Sequence, residues 1–124
     1  MSDGTFRNRD YAQQLKIFKG LCFGKIAPTD IDAFLDFNNE VFIFIETKHG
    51  TSKLPFGQKL ALERLCNACN DAGKRSFVLV AHHDSDGDID VAGIPVTEYY
   101  YRGQWLKPKE PKNVRQAIEI LKCK

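Results

Sequence analysis

The order of apolar and polar positions divides the chain into elements. From Val41 to Ile45 every residue is apolar, as in a strand buried on both faces. Asp30 to Phe37 reads as the strand before it, with Asn38-Asn39-Glu40 as a three-residue hairpin loop. Phe77-Val78-Leu79-Val80 forms a second compact apolar run within a strand expected over 76–81. Between these runs, Pro55 opens a helix expected over 56–72. Its apolar positions include Leu60, Leu62, Leu65 and Ala68, and Gly73 supplies the cap. A helix linking two strands implies a right-handed crossover, so 76–81 should run parallel to 41–48.

The flanks follow the same logic. Tyr11, Leu15 and Phe18 predict a first helix over 8–20, closed by Gly20, with Arg7, Arg9, Lys16 and Lys19 on its other side. Leu21 to Ile26 reads as a short strand broken by Gly24. Asp84 to Asp90 reads as an acidic turn with a hairpin signal at Asp86-Gly87. Its glycine falls at the wrong place for a calcium loop. One or two strands are expected over 91–101, and Arg102-Gly103-Gln104-Trp105 turns the chain back. Asn113 to Lys122 forms a last amphipathic helix with Val114, Ala117, Ile118 and Leu121 inward. The sum is one α/β domain spanning 1–124, a mixed sheet flanked by helices, with an α-β-β-β-α-β core and an extra C-terminal hairpin and helix.

The hairpin also carries charge where strands rarely do. Asp30 and Asp32 share one face of the first strand, and Glu46 and Lys48 share one face of the second. A three-residue loop sets Phe37 opposite Val41, Asp32 opposite Glu46 and Asp30 opposite Lys48. A two-residue loop would slip the register and separate these groups. Two facing carboxylates suit a hard divalent cation, Mg²⁺ or Mn²⁺, with waters completing its shell. Lys48 would stand beside it, to orient a water or to meet phosphate charge. The competing reading is a cross-strand ion pair on a solvated sheet, which an apolar Val41–Ile45 run disfavours.

Pro28-Thr29-Asp30-Ile31-Asp32, the thirteen residues to Glu46, and Glu46-Thr47-Lys48 together resemble the signature of the PD-(D/E)xK nuclease superfamily. Within it the likeness is to small phage and archaeal-type nucleases and Holliday-junction resolvases. It extends more weakly through Gly57-Gln58-Lys59 and the strand from Phe77 to Ala81. It implies a restriction-endonuclease-like fold, with Asp32 and Glu46 as metal ligands, the Thr47 carbonyl as a third, and Lys48 as the catalytic lysine. Asp30 would take the place of Asp32 in another register. Gln58, in the first turn of the second helix, would reach the site. Many relatives add an acid from the first helix. Here only Asp3 and Asp10 precede the motif, which leaves the number of metals open. The function implied is a metal-dependent endonuclease acting on DNA, with branched DNA one possible substrate. A C2 homodimer is expected because two strands need two sites.

Composition narrows the remaining choices. A formal net charge of +2 neither requires nor excludes nucleic acid. No apolar run approaches a membrane span and the N-terminus has no signal-peptide pattern, so no membrane partner and a cytoplasmic location (the host cytoplasm, if phage-encoded) are expected. Cys22, Cys66, Cys69 and Cys123 lack paired zinc spacing and read as free thiols. His82 and His83, at the end of the 76–81 strand, fall on the same sheet edge as Lys48, where one of them could bind phosphate or move a proton; the favoured reading is strand-end histidines with no role. The cluster Tyr99, Tyr100, Tyr101, Arg102 and Trp105 reads as a sheet surface, a dimer contact or a base-stacking platform. Basic residues Lys107, Lys109, Lys112, Arg115, Lys122 and Lys124 crowd the tail and offer phosphate contacts. The alternatives to DNA cleavage are ribonuclease activity and a non-catalytic nucleic-acid- or partner-binding protein on the same fold.

Overall fold

The computed structural model describes residues 18–123. Most of the helix expected over 8–20, together with Asp3 and Asp10, lies outside them. The elements are β1 (Ala33–Phe37), β2 (Val41–His49), α1 (Phe56–Asp71), β3 (Arg75–His83), β4 (Val96–Tyr101), β5 (Gln104–Leu106) and α2 (Val114–Leu121), with 3-10 turns at Lys19–Leu21 and Val91–Gly93. The strands form one mixed sheet in the order β1-β2-β3-β4-β5. Only the β2–β3 pair, joined through α1, is parallel; the other pairs are antiparallel.

The β1–β2 hairpin has the expected register. Phe37 faces Val41 and Ala33 faces Ile45. Asn38 and Asn39 turn the chain with φ of 56° and 63°, a left-handed conformation that asparagine tolerates. The Asp36 carboxylate accepts the Asn39 N–H at 2.7 Å, and the Phe37 carbonyl accepts the Glu40 N–H at 3.0 Å.

The strand expected over 21–26 is not part of the sheet. Gly24 takes φ of +64°, and Phe23 and Ile26 close a single isolated bridge across it. A reversal that tight leaves no length for a ladder. The described sheet therefore lacks the first strand of the expected α-β-β-β-α-β order. Asp86-Gly87 likewise makes no hairpin. The 84–90 stretch is an open loop, ending where Asp90 accepts the Ala92 N–H at 3.0 Å to cap the second 3-10 turn. Of the strands expected over 91–101, only β4 forms.

Helix α1 ends in a Schellman motif. Gly73 (φ +93°) donates to Asn70 O and Lys74 to Cys69 O, both at 3.0 Å. Its buried stripe is Leu62 and Cys66, with Cys69 partly covered, whereas Leu65 is 39% exposed and Ala68 lies outside the core. Helix α2 matches its expected inward face of Val114, Ala117 and Ile118. It opens with a capping box between Asn113 and Gln116, at 2.8 and 2.9 Å.

The helices cover opposite faces of the sheet. Val41, Ile43 and Ile45 of β2 pack with Phe77, Leu79 and Ala81 of β3 toward α2. Phe44, Val78 and Tyr100 pack with Leu62 and Cys66 toward α1. The uninterrupted apolar run of β2 follows from this two-sided cover, each buried aliphatic side chain contributing about 1.5–3 kcal/mol. Trp105 belongs to the α1 face as well. It packs against Tyr100, with ring centroids 5.1 Å apart. Its Nε1–H donates to Glu63 at 2.6 Å, and the Lys59 ammonium lies 4.8 Å from the ring centre. Its ring thus joins α1 to the sheet, the first of the roles open to it. All four cysteines are free.

Candidate active site

Alternation along β2 puts Phe42, Phe44, Glu46 and Lys48 on the face that α1 covers. Along α1, positions 58, 62 and 66 fall on one stripe. Leu62 and Cys66 meet apolar residues of the sheet, and one turn earlier Gln58 meets Glu46. A polar residue in the first position of a buried stripe is thereby matched to a carboxylate in a buried strand.

Glu46 is 1% exposed. Its Oε1 accepts from Gln58 Nε2, and its Oε2 accepts the backbone N–H of Asp32 at 2.9 Å. Gln58 Nε2 also donates to the carbonyl of Asp30 at 3.3 Å, and Lys48 Nζ donates to Gln58 Oε1 at 3.4 Å. Gln58 is therefore the hub that ties Glu46, Lys48 and the Asp30 main chain together, as expected for a residue reaching the site.

Asp32 stands opposite Glu46 when the ladder register is continued, but it is not itself in β1. The same register would set Ile31 against Thr47. Instead the Asp32 carboxylate takes that place. Its Oδ2 accepts both the Thr47 N–H, at 2.7 Å, and the Thr47 hydroxyl, at 3.0 Å. The side chain thus caps the open end of the β1–β2 ladder, which is why β1 stops at Ala33. The cross-strand pairing of Asp30 with Lys48 does not form, because the ladder ends before either is reached. Asp30 acts on Glu46 by its charge instead.

Burial is the main force that holds the Glu46 carboxyl above its usual range. The Asp32 N–H opposes this, the Asp32 and Asp30 charges add to it, and Lys48 draws the other way. A carboxylate pressed toward its acid form by burial and two like charges is what a cation would relieve. All the donors are oxygen: Glu46, Asp32 and the Thr47 carbonyl, which shares its strand edge with the N–H that Asp32 caps. They fit a hard dication whose other positions are water. Among the described residues no cluster of three or more His, Cys, Asp or Glu side chains could hold a metal ion, so the fit is to a water-rich site with two carboxylates at most.

His82 lies in register with Lys48, and so on the site's face. Both its ring nitrogens are engaged, Nδ1 with Thr97 Oγ1 at 2.7 Å and Nε2 with the Ser52 carbonyl at 2.6 Å. His83, one residue on, faces the opposite side and packs edge-on against His49, ring centroids 5.2 Å apart. Its Nδ1 is buried with no hydrogen-bond partner. The site face also carries Glu98, which lies across Val80 from Glu46. Nothing in the sequence marks Glu98 or Thr97, since a bulge between Val80 and Ala81 sets the register of β4.

The basic residues of helix α2 are separated from the site. Helix α2 covers the opposite face of the sheet, and Arg115 and Lys122 both pair with Glu119, at 2.8 and 3.2 Å. Among the described residues, no helix is long and apolar enough to cross a membrane.

No protein-family model matches the chain, and comparison with curated proteins and with solved structures gives no match. The likeness to the nuclease superfamily accordingly stands on the hairpin residues and their arrangement.

Proposed function

We propose that this protein is a metal-dependent endonuclease that hydrolyses phosphodiester bonds in DNA, with a catalytic group of Asp32, Glu46, Lys48 and Gln58. The observation that carries this reading is the Glu46 carboxylate. It is buried where α1 covers the sheet, within reach of the charges of two aspartates, with Gln58 donating to it and Lys48 held on Gln58. Such a group is costly to bury without a purpose.

In this reading Glu46, Asp32 and the Thr47 carbonyl hold Mg²⁺ or Mn²⁺. The ion supplies an acidified water and neutralises charge on the phosphate. Gln58 orients Glu46 through its amide and Lys48 through its carbonyl oxygen. The Lys48 ammonium stands where it can stabilise a phosphate oxygen or guide the water. Branched DNA as the substrate and a homodimer as the working form belong to the same proposal.

A second reading has its own support. Both oxygens of Glu46 and one of Asp32 already accept protein hydrogen bonds, so the network is complete without a cation. That favours a nucleic-acid-binding protein that keeps the arrangement for stability. The deciding experiment incubates the protein with supercoiled plasmid, linear duplex, branched DNA and RNA, with Mg²⁺, Mn²⁺ or chelator. Metal-dependent cleavage of DNA, lost in Glu46→Ala and Lys48→Ala that still fold, supports the nuclease. Cleavage of RNA alone makes it a ribonuclease, and no cleavage of any substrate favours the second reading.

A further inference from the structure

The segment 50–55 carries the chain from Lys48 on β2 to Gln58 on α1. Its far end has no side-chain cap: the N-cap of α1 is Pro55, which offers no side-chain acceptor to the first-turn N–H groups. The start of α1 therefore depends on how the segment is tied down. Two ties are backbone bonds, Gly50 N–H to His83 O at 2.7 Å and Ser52 N–H to His49 O at 3.2 Å. The third comes from the side chain of His82, on the Ser52 carbonyl at 2.6 Å.

We propose that His82 is a positioning residue, whose Nε2–H tether on Ser52 holds the 50–55 segment, and through it Lys48 and Gln58. A carbonyl oxygen can only accept, so Nε2 must carry a proton whenever this bond exists. The other nitrogen faces a hydroxyl, which can do either. With Nδ1 protonated, His82 donates to Thr97 Oγ1, and the hydroxyl proton goes to the Val80 carbonyl at 3.2 Å. With Nδ1 bare, the hydroxyl turns and donates to it. The Thr97 hydroxyl can thus partner Nδ1 as donor or acceptor, while Nε2–H stays on Ser52.

On the neighbouring strand β2, Lys48 lies in register with His82. Lys48, the register partner, already donates to Gln58.

The inference rests on the nuclease reading only for what Lys48 and Gln58 go on to do, so the tether is tested without activity. In wild-type protein, ¹⁵N spectra of the neutral imidazole should show the Nε2–H tautomer, and the Gly50 and Ser52 amides should be protected from exchange. His82→Gln keeps a donor near the Nε2 position and should preserve both protections. His82→Asn reaches only as far as Thr97. It should speed exchange at Ser52 about fivefold, the worth of one hydrogen bond, and move the Gln58 side-chain amide resonances while the amides of α2 stay unchanged. An Nδ1–H tautomer, wild-type exchange in His82→Asn, or equal loss in both variants overturns the proposal. Should His82→Asn not fold, the wild-type tautomer decides. If DNA is cleaved, His82→Asn should lower kcat with KM unchanged. If nothing is cleaved, the nuclease reading fails and the exchange result stands.

Discussion

The side-chain amide of Gln58 donates to the buried carboxylate of Glu46, so that helix α1 and strand β2 are joined by a polar contact where their faces otherwise meet as hydrocarbon. Removing one partner leaves the other exposed to the full cost of its burial. Gln58→Leu should lower stability by about 1.5–3 kcal/mol at alkaline pH, where Glu46 is ionised, the range for a hydrogen bond to a charged group. The loss should shrink in acid, where Glu46 is neutral. Urea unfolding at both pH values checks this, and an equal loss at both would show that Gln58 contributes packing alone.

Glu46 gives the protein a pH dependence of definite sign. Its folded carboxyl holds its proton more tightly than the unfolded one, chiefly through burial. Above the unfolded value of 4.5 the folded state therefore binds more protons than the unfolded state. Its contribution is fully present below that value and is lost as pH rises through the folded value. Glu46→Gln removes the titration, and the fall in its melting temperature over this window should be smaller than in wild type. Parallel pH profiles for the two proteins would count against a raised carboxyl.

A divalent cation should reverse that penalty. Ligand that binds only the folded state stabilises it by mass action, about 2.7 kcal/mol at a hundredfold excess over Kd. Mg²⁺ or Mn²⁺ should raise the melting temperature of wild type at pH 8, with calorimetric heat of binding, and do neither in Glu46→Gln. The same shift in the variant would place the ion elsewhere.

On the nuclease reading Asp32 has two tasks that substitution can separate. Its carboxylate caps Thr47, and it would also hold the cation. Asp32→Asn retains an acceptor oxygen for Thr47, and should stay within about 1 kcal/mol of wild type while losing cation binding. Asp32→Ala should lose both, with a further 1–2 kcal/mol or so from the uncapped N–H. Cation binding unchanged in Asp32→Asn would leave Asp32 a purely structural role.

Lys48 should act on rate more than on stability. Its ammonium is half-buried and bonded to an amide that has other partners. On the nuclease reading, Lys48→Ala should cut cleavage by about 10²–10⁴, the usual worth of a positioned acid–base group, with thermal unfolding little changed. Cleavage within a factor of a few of wild type would remove it from the site.

The hairpin was legible in advance because its information is local. An asparagine pair fixed the reversal, strand alternation fixed the faces, and the register of Asp32 against Glu46 followed by counting. The two-sided burial of Val41 to Ile45 and the parallel crossover were read on the same terms. The inward face of α1 was harder to read. Leu60, Leu62, Leu65 and Ala68 offer apolar residues around much of the helix, and contact with the sheet selected Leu62 and Cys66.

By itself, then, the sequence determined which residues could face one another across β1 and β2, since the pleat and a three-residue loop leave little freedom. Tertiary structure alone decided what those residues touch. It turned Asp32 into the cap of Thr47, brought Gln58 down on Glu46, closed His82 onto Thr97 and Ser52, and set the basic residues of helix α2 behind the sheet. Each of these depends on how a helix, a loop or a bulged strand packs onto the sheet from far along the chain. Such contacts are chosen by shape and by the need to pair every buried polar group, and local periodicity carries no record of either.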